Sequence, residues 1–254
     1  MPAGYSTGRK EQVCRLMPKA IIVGASSGIG LELAKVLANN GYVLGLAARR
    51  LPLLLDLQKE LGSRAIIKQL DISDPVRAIA NFSALIEDLG GVDLVVMSAG
   101  TGHLNPDLAW EKERETVDVN ICGFTAITTA AMQYFMQKDS GHLVNLSSIA
   151  ALRGGRQAPA YNASKAYGSN YMEGLRQKVS HAHLPVTLTD IQLGYVNTRM
   201  AQGEGLFWVA SPEKAATQIY KAIKAKKKRA YVTKRWRLVA WLLKCMPDTF
   251  YARF

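Results

Sequence analysis

Cysteine is scarce in this chain, and the three present, Cys14, Cys122 and Cys245, are odd in number, far apart and free of any Cys-x-x-Cys spacing. That excludes a disulfide framework and a thiolate metal site, and it fits a reducing, cytoplasmic compartment. Histidine is almost as sparse: of His103, His142, His181 and His183 only the last two form a His-x-His, at the end of a helical pattern, where a solvated turn accounts for them and no metal is expected. No stretch approaches the roughly 20 consecutive apolar residues of a membrane-spanning helix. Residues 1–18 lack the apolar run of a secretory leader and contain Gly4, Ser6, Thr7 and Gly8, so they are expected to form a flexible extension, with Met17 a candidate start. Internal repeats and domain linkers are absent too.

Acidic residues are also in deficit, 20 Asp and Glu against 32 Lys and Arg, for a net charge of +12. The imbalance is local. From Lys221 onward eleven basic residues face Asp248 alone, and residues 1–18 add a further excess of two, so residues 19–220 carry no net charge. The basicity belongs to the ends of the chain, and without a recognition motif it gives no support to nucleic-acid binding.

The 254 residues suit one domain with a large core, and apolar strand-like runs alternate with amphipathic stretches as in an α/β unit. Strands are expected near 20–23, 42–47, 65–69, 92–97, 141–146, 185–191 and 229–232. Helices fill the gaps near 29–39, 52–61, 75–88, 107–137, 159–181 and 212–225. Pro75, Pro106, Pro159 and Pro212 each stand where a helix can begin, a position that spares the missing N–H. The expected division is an extension at 1–18, a catalytic domain at 19–232 and a basic, Trp- and Leu-rich C-terminal helix at 233–254.

The first strand, Lys19 to Val23, runs directly into Gly24-Ala25-Ser26-Ser27-Gly28-Ile29-Gly30 and then a helical pattern. Strand, glycine turn and helix form the opening unit of a dinucleotide-binding fold. Gly24 permits the tight turn, Gly28 lets backbone approach a pyrophosphate, Gly30 lets the helix pack on the strand, and the free N–H groups at the helix start face the anion. The second strand ends in Ala48-Arg49-Arg50 with no carboxylate. An acid there would bind ribose hydroxyls, whereas Arg49 offers a guanidinium fork for a 2′-phosphate, with Ser26 and Ser27 adding hydroxyls, so NADPH is the expected cofactor.

Tyr161 and Lys165 lie one helical turn apart in Tyr161-Asn162-Ala163-Ser164-Lys165, on one helix face. A lysine beside the phenol would lower its pKa and make it useful in proton exchange near neutrality. The Gly-x-x-x-Gly-x-Gly loop together with a distant Tyr-x-x-x-Lys resembles the short-chain dehydrogenase/reductase family, over about Lys19 to Val232. The resemblance implies a doubly wound Rossmann fold, a mostly parallel seven-stranded sheet with helices on both faces. It also implies that Asp71 and the adjoining Ile72 meet the adenine and that Ala99 and Gly100 follow the fourth strand beside the cofactor. Gly194, Val196 and Thr198 would hold the nicotinamide end, and Ile29 would lie in the pyrophosphate turn. Three positions depart from the family pattern: Val23 for Thr, Met97-Ser98 for an Asn pair, and Leu193 for Pro before Gly194.

Resemblance and geometry together assign Tyr161 as the general acid in carbonyl reduction or base in alcohol oxidation, and Lys165 as its modulator and ribose anchor. Ser148 would donate to the substrate oxygen, its neighbour Ser147 being the rival, and Asn120 would hold a water that extends the proton path. The segment Arg199 to Trp208 mixes glycines with Leu206, Phe207 and Trp208 and suits a lid over an apolar carbonyl or alcohol substrate. His103 and Leu152 to Arg156 are further candidates for the pocket. The run Lys234-Arg235-Trp236-Arg237 through Lys244 suits either an interfacial helix on anionic lipid or a helix packed on its own domain or on another subunit. A homodimer or homotetramer through the two long helices is expected. The rival to an oxidoreductase is a sensor or scaffold that binds NADPH without turnover, and epimerisation or dehydration on the same fold is a lesser alternative.

Overall fold

The computed structural model describes residues 17–200 and 207–251. Seven strands, β1 (Lys19–Val23), β2 (Val43–Ala48), β3 (Ala65–Gln69), β4 (Leu94–Met97), β5 (Gly141–Ser148), β6 (Val186–Leu193) and β7 (Arg229–Val232), form one sheet in the order β3-β2-β1-β4-β5-β6-β7. Every adjacent pair is parallel, so the sheet is wholly rather than mostly parallel. Buried on both faces, the strands are short continuous apolar runs such as Ala20-Ile21-Ile22-Val23.

Side chains alternate across each strand and feed two cores. One core joins Ile22, Leu46 and Val96 to α1 (Gly28–Asn39), α2 (Leu51–Leu61) and α7 (Pro212–Lys224). The other joins Ile21, Val95 and Leu143 to α3 (Pro75–Asp88), α5 (Phe124–Lys138) and α6 (Pro159–His181). Strand order reverses between β1 and β4, where the amides of Ser98 and Ala99 both donate to the Val23 carbonyl, at 2.8 and 2.7 Å. That switch point, outside the carboxyl ends of the strands, is where open α/β sheets take their ligands.

Pro75, Pro159 and Pro212 do begin helices. Pro106 does not: the Asn105 side chain instead accepts from the Ala109 amide at 2.9 Å and donates to Glu113 at 2.6 Å, and α4 (Trp110–Val117) starts beyond that turn. The helix expected over 107–137 is interrupted as well. Between α4 and α5, residues Asp118–Gly123 form a wider π turn at the point where Gly123 lies so close to Ile72 that a Cβ would overlap the Ile72 carbonyl. Such widened turns recur at functional sites, and this one carries Asn120.

The C-terminal stretch forms α8 (Trp236–Cys245) and α9 (Asp248–Tyr251). Trp236 and Ala240 face inward and pack with Ile149, Leu152 and Tyr231, so one face of the basic tail is part of its own domain. Arg153 pairs with Asp248 at 2.6 Å and covers the Tyr251 ring at 4.5 Å, fastening α9 to the loop after β5. Cys122 and Cys245 are free and exposed. The expected extension over residues 1–16, Cys14 included, lid residues 201–206 and the last three residues lie outside the described residues.

Candidate active site

The glycine loop leaves β1 at the switch point. Gly24 has φ +97° and sits against Ala99, and a Cβ on Gly30 would overlap the Gly24 carbonyl. Bare backbone at both positions lets α1 start immediately under the turn. Gly28, at φ +57°, faces Thr198, whose methyl would lie 3.2 Å from an added Cβ. The 194–198 loop therefore closes on the glycine turn, with Val196 buried and bridged to Ala210. Ile29 is partly buried on the core behind the turn. Just beyond β3, Asp71 accepts from Ser73 at 3.0 and 2.8 Å in a local turn, beside buried Ile72. The cradle of glycines that a Cβ would fill, with its amides at the head of α1, fits a dinucleotide pyrophosphate.

At the end of β2 the two arginines divide. Arg50 donates to Ser26 Oγ at 3.0 Å and Ser27 Oγ at 2.6 Å, so the guanidinium at the mouth of the loop is that of Arg50, while Arg49 is exposed beside it. The doublet in the sequence signalled a basic end to β2, yet the choice between its members depended on how the chain turns into α2.

Ser147 and Ser148 are both inside β5, which runs two residues beyond the expected strand. Period-two alternation sends them opposite ways. Ser147 is buried and bonded to Ser169 Oγ at 2.9 Å and to the Lys165 carbonyl at 3.2 Å. Ser148 hydrogen-bonds Tyr161 and reaches the Leu193 carbonyl at 3.5 Å. Asn120 is held at both ends, accepting from the Thr101 amide at 2.8 Å and donating to the Thr101 carbonyl at 2.7 Å and to Ser164 Oγ at 3.0 Å. Lys165 Nζ donates to the Leu146 carbonyl at 3.2 Å. A cavity of about 10 Å³ between Asn120, Asn145, Ser164 and Lys165 is near the lower limit for one water. Gly100 approaches this group closely, an added Cβ lying 3.2 Å from Asn120 Oδ1 and 3.4 Å from Lys165 Nζ. The structure thus gathers Asn120, Ser148, Tyr161 and Lys165, with Ala99, Gly100 and Gly194 at the rim.

One electrostatic expectation is corrected. Burial raises the Tyr161 pKa, the Ser148 hydrogen bond pulls it down and nearby Tyr195 adds to the rise. Lys165, with Nζ 5.7 Å from the ring centroid, is not among the causes. Desolvation is the largest cause and favours the protonated phenol. Burial also lowers Lys165, to about 8, against the pull of Asp190. Asp190 is itself buried, taking hydrogen bonds from Asn145 at 3.0 Å and Ser169 at 2.9 Å.

Several neighbours escaped the sequence. A Cβ on Gly102 would overlap the Tyr161 ring, and one on Gly194 would overlap the indole of Trp236. No motif signalled either contact, because each joins segments distant in the chain. His103 pairs with Glu115 at 2.9 Å at the site's edge. Leu152 to Gly155 line a cavity of about 310 Å³ with Pro159, Asn162 and Ala166, on a face of α6 that carries neither Tyr161 nor Lys165. It flanks the catalytic group without including it. Tyr167 and Tyr171 bond Thr125 and Thr129 of α5 at 2.7 and 3.2 Å, which makes them packing residues.

Comparison with known proteins matches the chain to the short chain dehydrogenase family model over residues 18–206. An uncharacterised oxidoreductase of Myxococcus xanthus is 37% identical over 186 residues, 71% of this chain and 73% of its own. Among solved structures, a short chain dehydrogenase/reductase from Burkholderia phymatum in complex with NAD superposes with a TM-score of 0.79 at 20% identity, over 89% of this chain and 92% of the other. A serine dehydrogenase complexed with NADP+ does so with a TM-score of 0.73 at 20% identity, over 84% and 93%. The chain belongs to the short-chain dehydrogenase family and, with it, to the oxidoreductases that use a nicotinamide dinucleotide.

The buried carboxylate behind Lys165 yields a pH prediction. A lysine of pKa about 8 is charged below that pH and neutral above it, so turnover that needs the ammonium should fall as pH rises through about 8. Asp190→Asn removes an attraction that favours the charged form and should move that limb to lower pH. A limb in the same place in both proteins, followed by nicotinamide absorbance, would show that Asp190 does not act through Lys165.

Proposed function

We propose that this protein is an NADPH-dependent reductase of an apolar ketone or aldehyde, or catalyses the reverse oxidation of the alcohol. The observation that carries the reading is the convergence of Ser148, Tyr161, Lys165 and Asn120 beside the glycine cradle. The nicotinamide, when bound and reduced, supplies hydride to the carbonyl carbon. Ser148 donates a hydrogen bond to the carbonyl oxygen as negative charge develops there. Tyr161, kept protonated by burial, gives its proton to that oxygen. Lys165 would hold the nicotinamide ribose, and Asn120 orders the polar cavity through which the proton is replaced. A sensor without turnover would not need these four groups brought together.

The cofactor phosphate falls to the end of β2. No carboxylate stands there, Arg50 is already fixed on Ser26 and Ser27, and exposed Arg49 can close on a 2′-phosphate from beside it. An apolar substrate is favoured by the ring cluster of Tyr195, Phe207, Trp208 and Trp236 next to Gly194. The outward face of α8 presents Leu238, Trp241 and Leu242 among Arg237, Lys244 and the preceding Lys234. Among the described residues no helix is long and apolar enough to cross a membrane, but this mixed face suits peripheral contact with anionic lipid. Self-association through α5 and α6 into a homodimer or homotetramer completes the reading.

Tyr161→Phe should reduce carbonyl turnover with NADPH by at least about 100-fold, the scale of a lost general acid, with NADPH affinity within about twofold. Arg49→Ala should cut the preference for NADPH over NADH by about tenfold or more. Turnover retained in the first variant overturns the catalytic assignment, and equal efficiency with NADH in the unaltered protein overturns the cofactor choice. The unaltered protein should sediment with phosphatidylserine vesicles and the Leu238→Ser, Trp241→Ser double variant should not; equal sedimentation removes the lipid contact. Light scattering should give a multiple of the 27.8 kDa chain mass, and the single-chain mass would refute self-association.

A further inference from the structure

Six buried side-chain polar atoms among the described residues have no hydrogen-bond partner, and three of them belong to Gln192, Thr233 and Trp236. Their positions are related. Gln192 of β6 pairs in register with Tyr231 of β7, and Thr233 follows directly on the end of β7. The Trp236 amide then donates to the Thr233 carbonyl at 3.0 Å as α8 begins. All three lie where β6 and β7 end beside Gly194. Unpaired buried polar groups are rare because each forfeits its bonds to water, so a cluster of them at the rim of a reaction site calls for a ligand.

Trp236 is the best defined of the three. It is 2% exposed, its indole nitrogen fills the space where a side chain on Gly194 would be, and indole N–H is a donor only. Tyr195 meets the ring edge-on at 5.1 Å between centroids, and Phe207 stacks on it at 5.0 Å with planes 27° apart. Trp208 stands at 6.1 Å, and Arg235 covers Trp208 at 5.2 Å. Tyr195 is also close enough to Tyr161 to raise its pKa, and Ile149, next to Ser148, packs on Trp236. The ring cluster therefore adjoins the catalytic residues. Phe207 and Trp208, by contrast, are 48% and 41% exposed and belong to the lid.

We propose that α8 supplies the second anchor of the substrate site: Trp236 donates its indole N–H to an acceptor oxygen on the substrate, remote from the reacting carbonyl, while Tyr195 and the Phe207-Trp208 lid enclose a flat ring system. This deepens the oxidoreductase reading and rests on it for the position of the reacting carbonyl. The substrate class it selects is a ketone on an aromatic or fused-ring body bearing a further carbonyl or hydroxyl. A site built to donate one buried hydrogen bond rejects analogues that lack the acceptor.

The test compares 9,10-anthraquinone, a flat ring with carbonyl oxygens on opposite edges, with 9-fluorenone, which has one. Their dissociation constants for the NADP+-loaded protein are read by calorimetry, so the result does not need turnover. Trp236→Phe keeps a ring and removes the donor. It should weaken the quinone by about tenfold, the scale of one lost hydrogen bond, and fluorenone by less than about twofold, with NADP+ affinity unchanged. Phe207→Ala, on an exposed lid residue, should weaken both ligands alike by a fewfold and covers the case in which Trp236→Phe fails to fold. Equal losses of both ligands in Trp236→Phe, a loss of NADP+ affinity there, unchanged binding in Phe207→Ala, or no binding of the quinone to the unaltered protein would each overturn the proposal. Absence of turnover with both compounds despite binding would instead count against the reductase reading alone.

Discussion

The close approach of β1 and β4 at their carboxyl ends governs the rest of the structure. The Ser98 and Ala99 amides share the Val23 carbonyl, and Gly24 turns against Ala99 with no room for a side chain. Because every strand is parallel, each chain segment leaving the sheet at this end must emerge on the same side. The glycine turn, the Ala99-Gly100 corner, Ser148 and the Gly194 loop are thereby placed around one crevice, and α6 has only to lie along the sheet to bring Tyr161 and Lys165 to it. The candidate catalytic residues come from three segments, but a single constraint, parallel pairing across the switch point, sets their relation.

Within that frame the balance between burial and charge decides the chemistry. A lysine one turn from a tyrosine suggests from spacing alone that the cation lowers the phenol. In the folded protein, desolvation acts on both groups in the direction that favours the neutral form, raising Tyr161 and lowering Lys165. The charged form of Lys165 keeps two supports: Leu146 accepts from the ammonium, and Asp190 lies behind it in a network with Asn145 and Ser169. The result is a protonated phenol next to a lysine that stays mostly charged at neutral pH. A buried phenol in its protonated form is able to give a proton.

Regular, local features were legible in the sequence. Short apolar runs gave the strands within a few residues, proline at a first helical position marked α3, α6 and α7, and the glycine spacing located the cradle. What stayed hidden depended on contacts between distant segments. The π turn at Asp118–Gly123 exists because Gly123 must pass Ile72 and Asn120 must reach Thr101, neither of which a helical period records. Arg50 rather than Arg49 meets the serines because the backbone turns into α2 between them. Pro106 looked like a helix start until the Asn105 side chain took over the turn. Gly102 and Gly194 carry no motif of their own, and their meaning comes from the rings of Tyr161 and Trp236 set against them.

The C-terminal helix shows how one amphipathic segment can serve two surroundings. A period near 3.6 places Trp236, Val239, Ala240 and Leu243 toward the domain and Arg237, Leu238, Trp241 and Lys244 away from it. A sequence with tryptophan and leucine on both faces cannot be assigned to core or surface by hydrophobicity, which is why packing and interfacial contact looked like rivals. The structure makes them compatible: the inner face is committed to Ile149 and the Gly194 loop, and the outer face keeps its apolar and basic groups in solvent. A ligand reaching Trp236 would thus bind between the catalytic strand ends and the very helix whose opposite side suits a lipid surface.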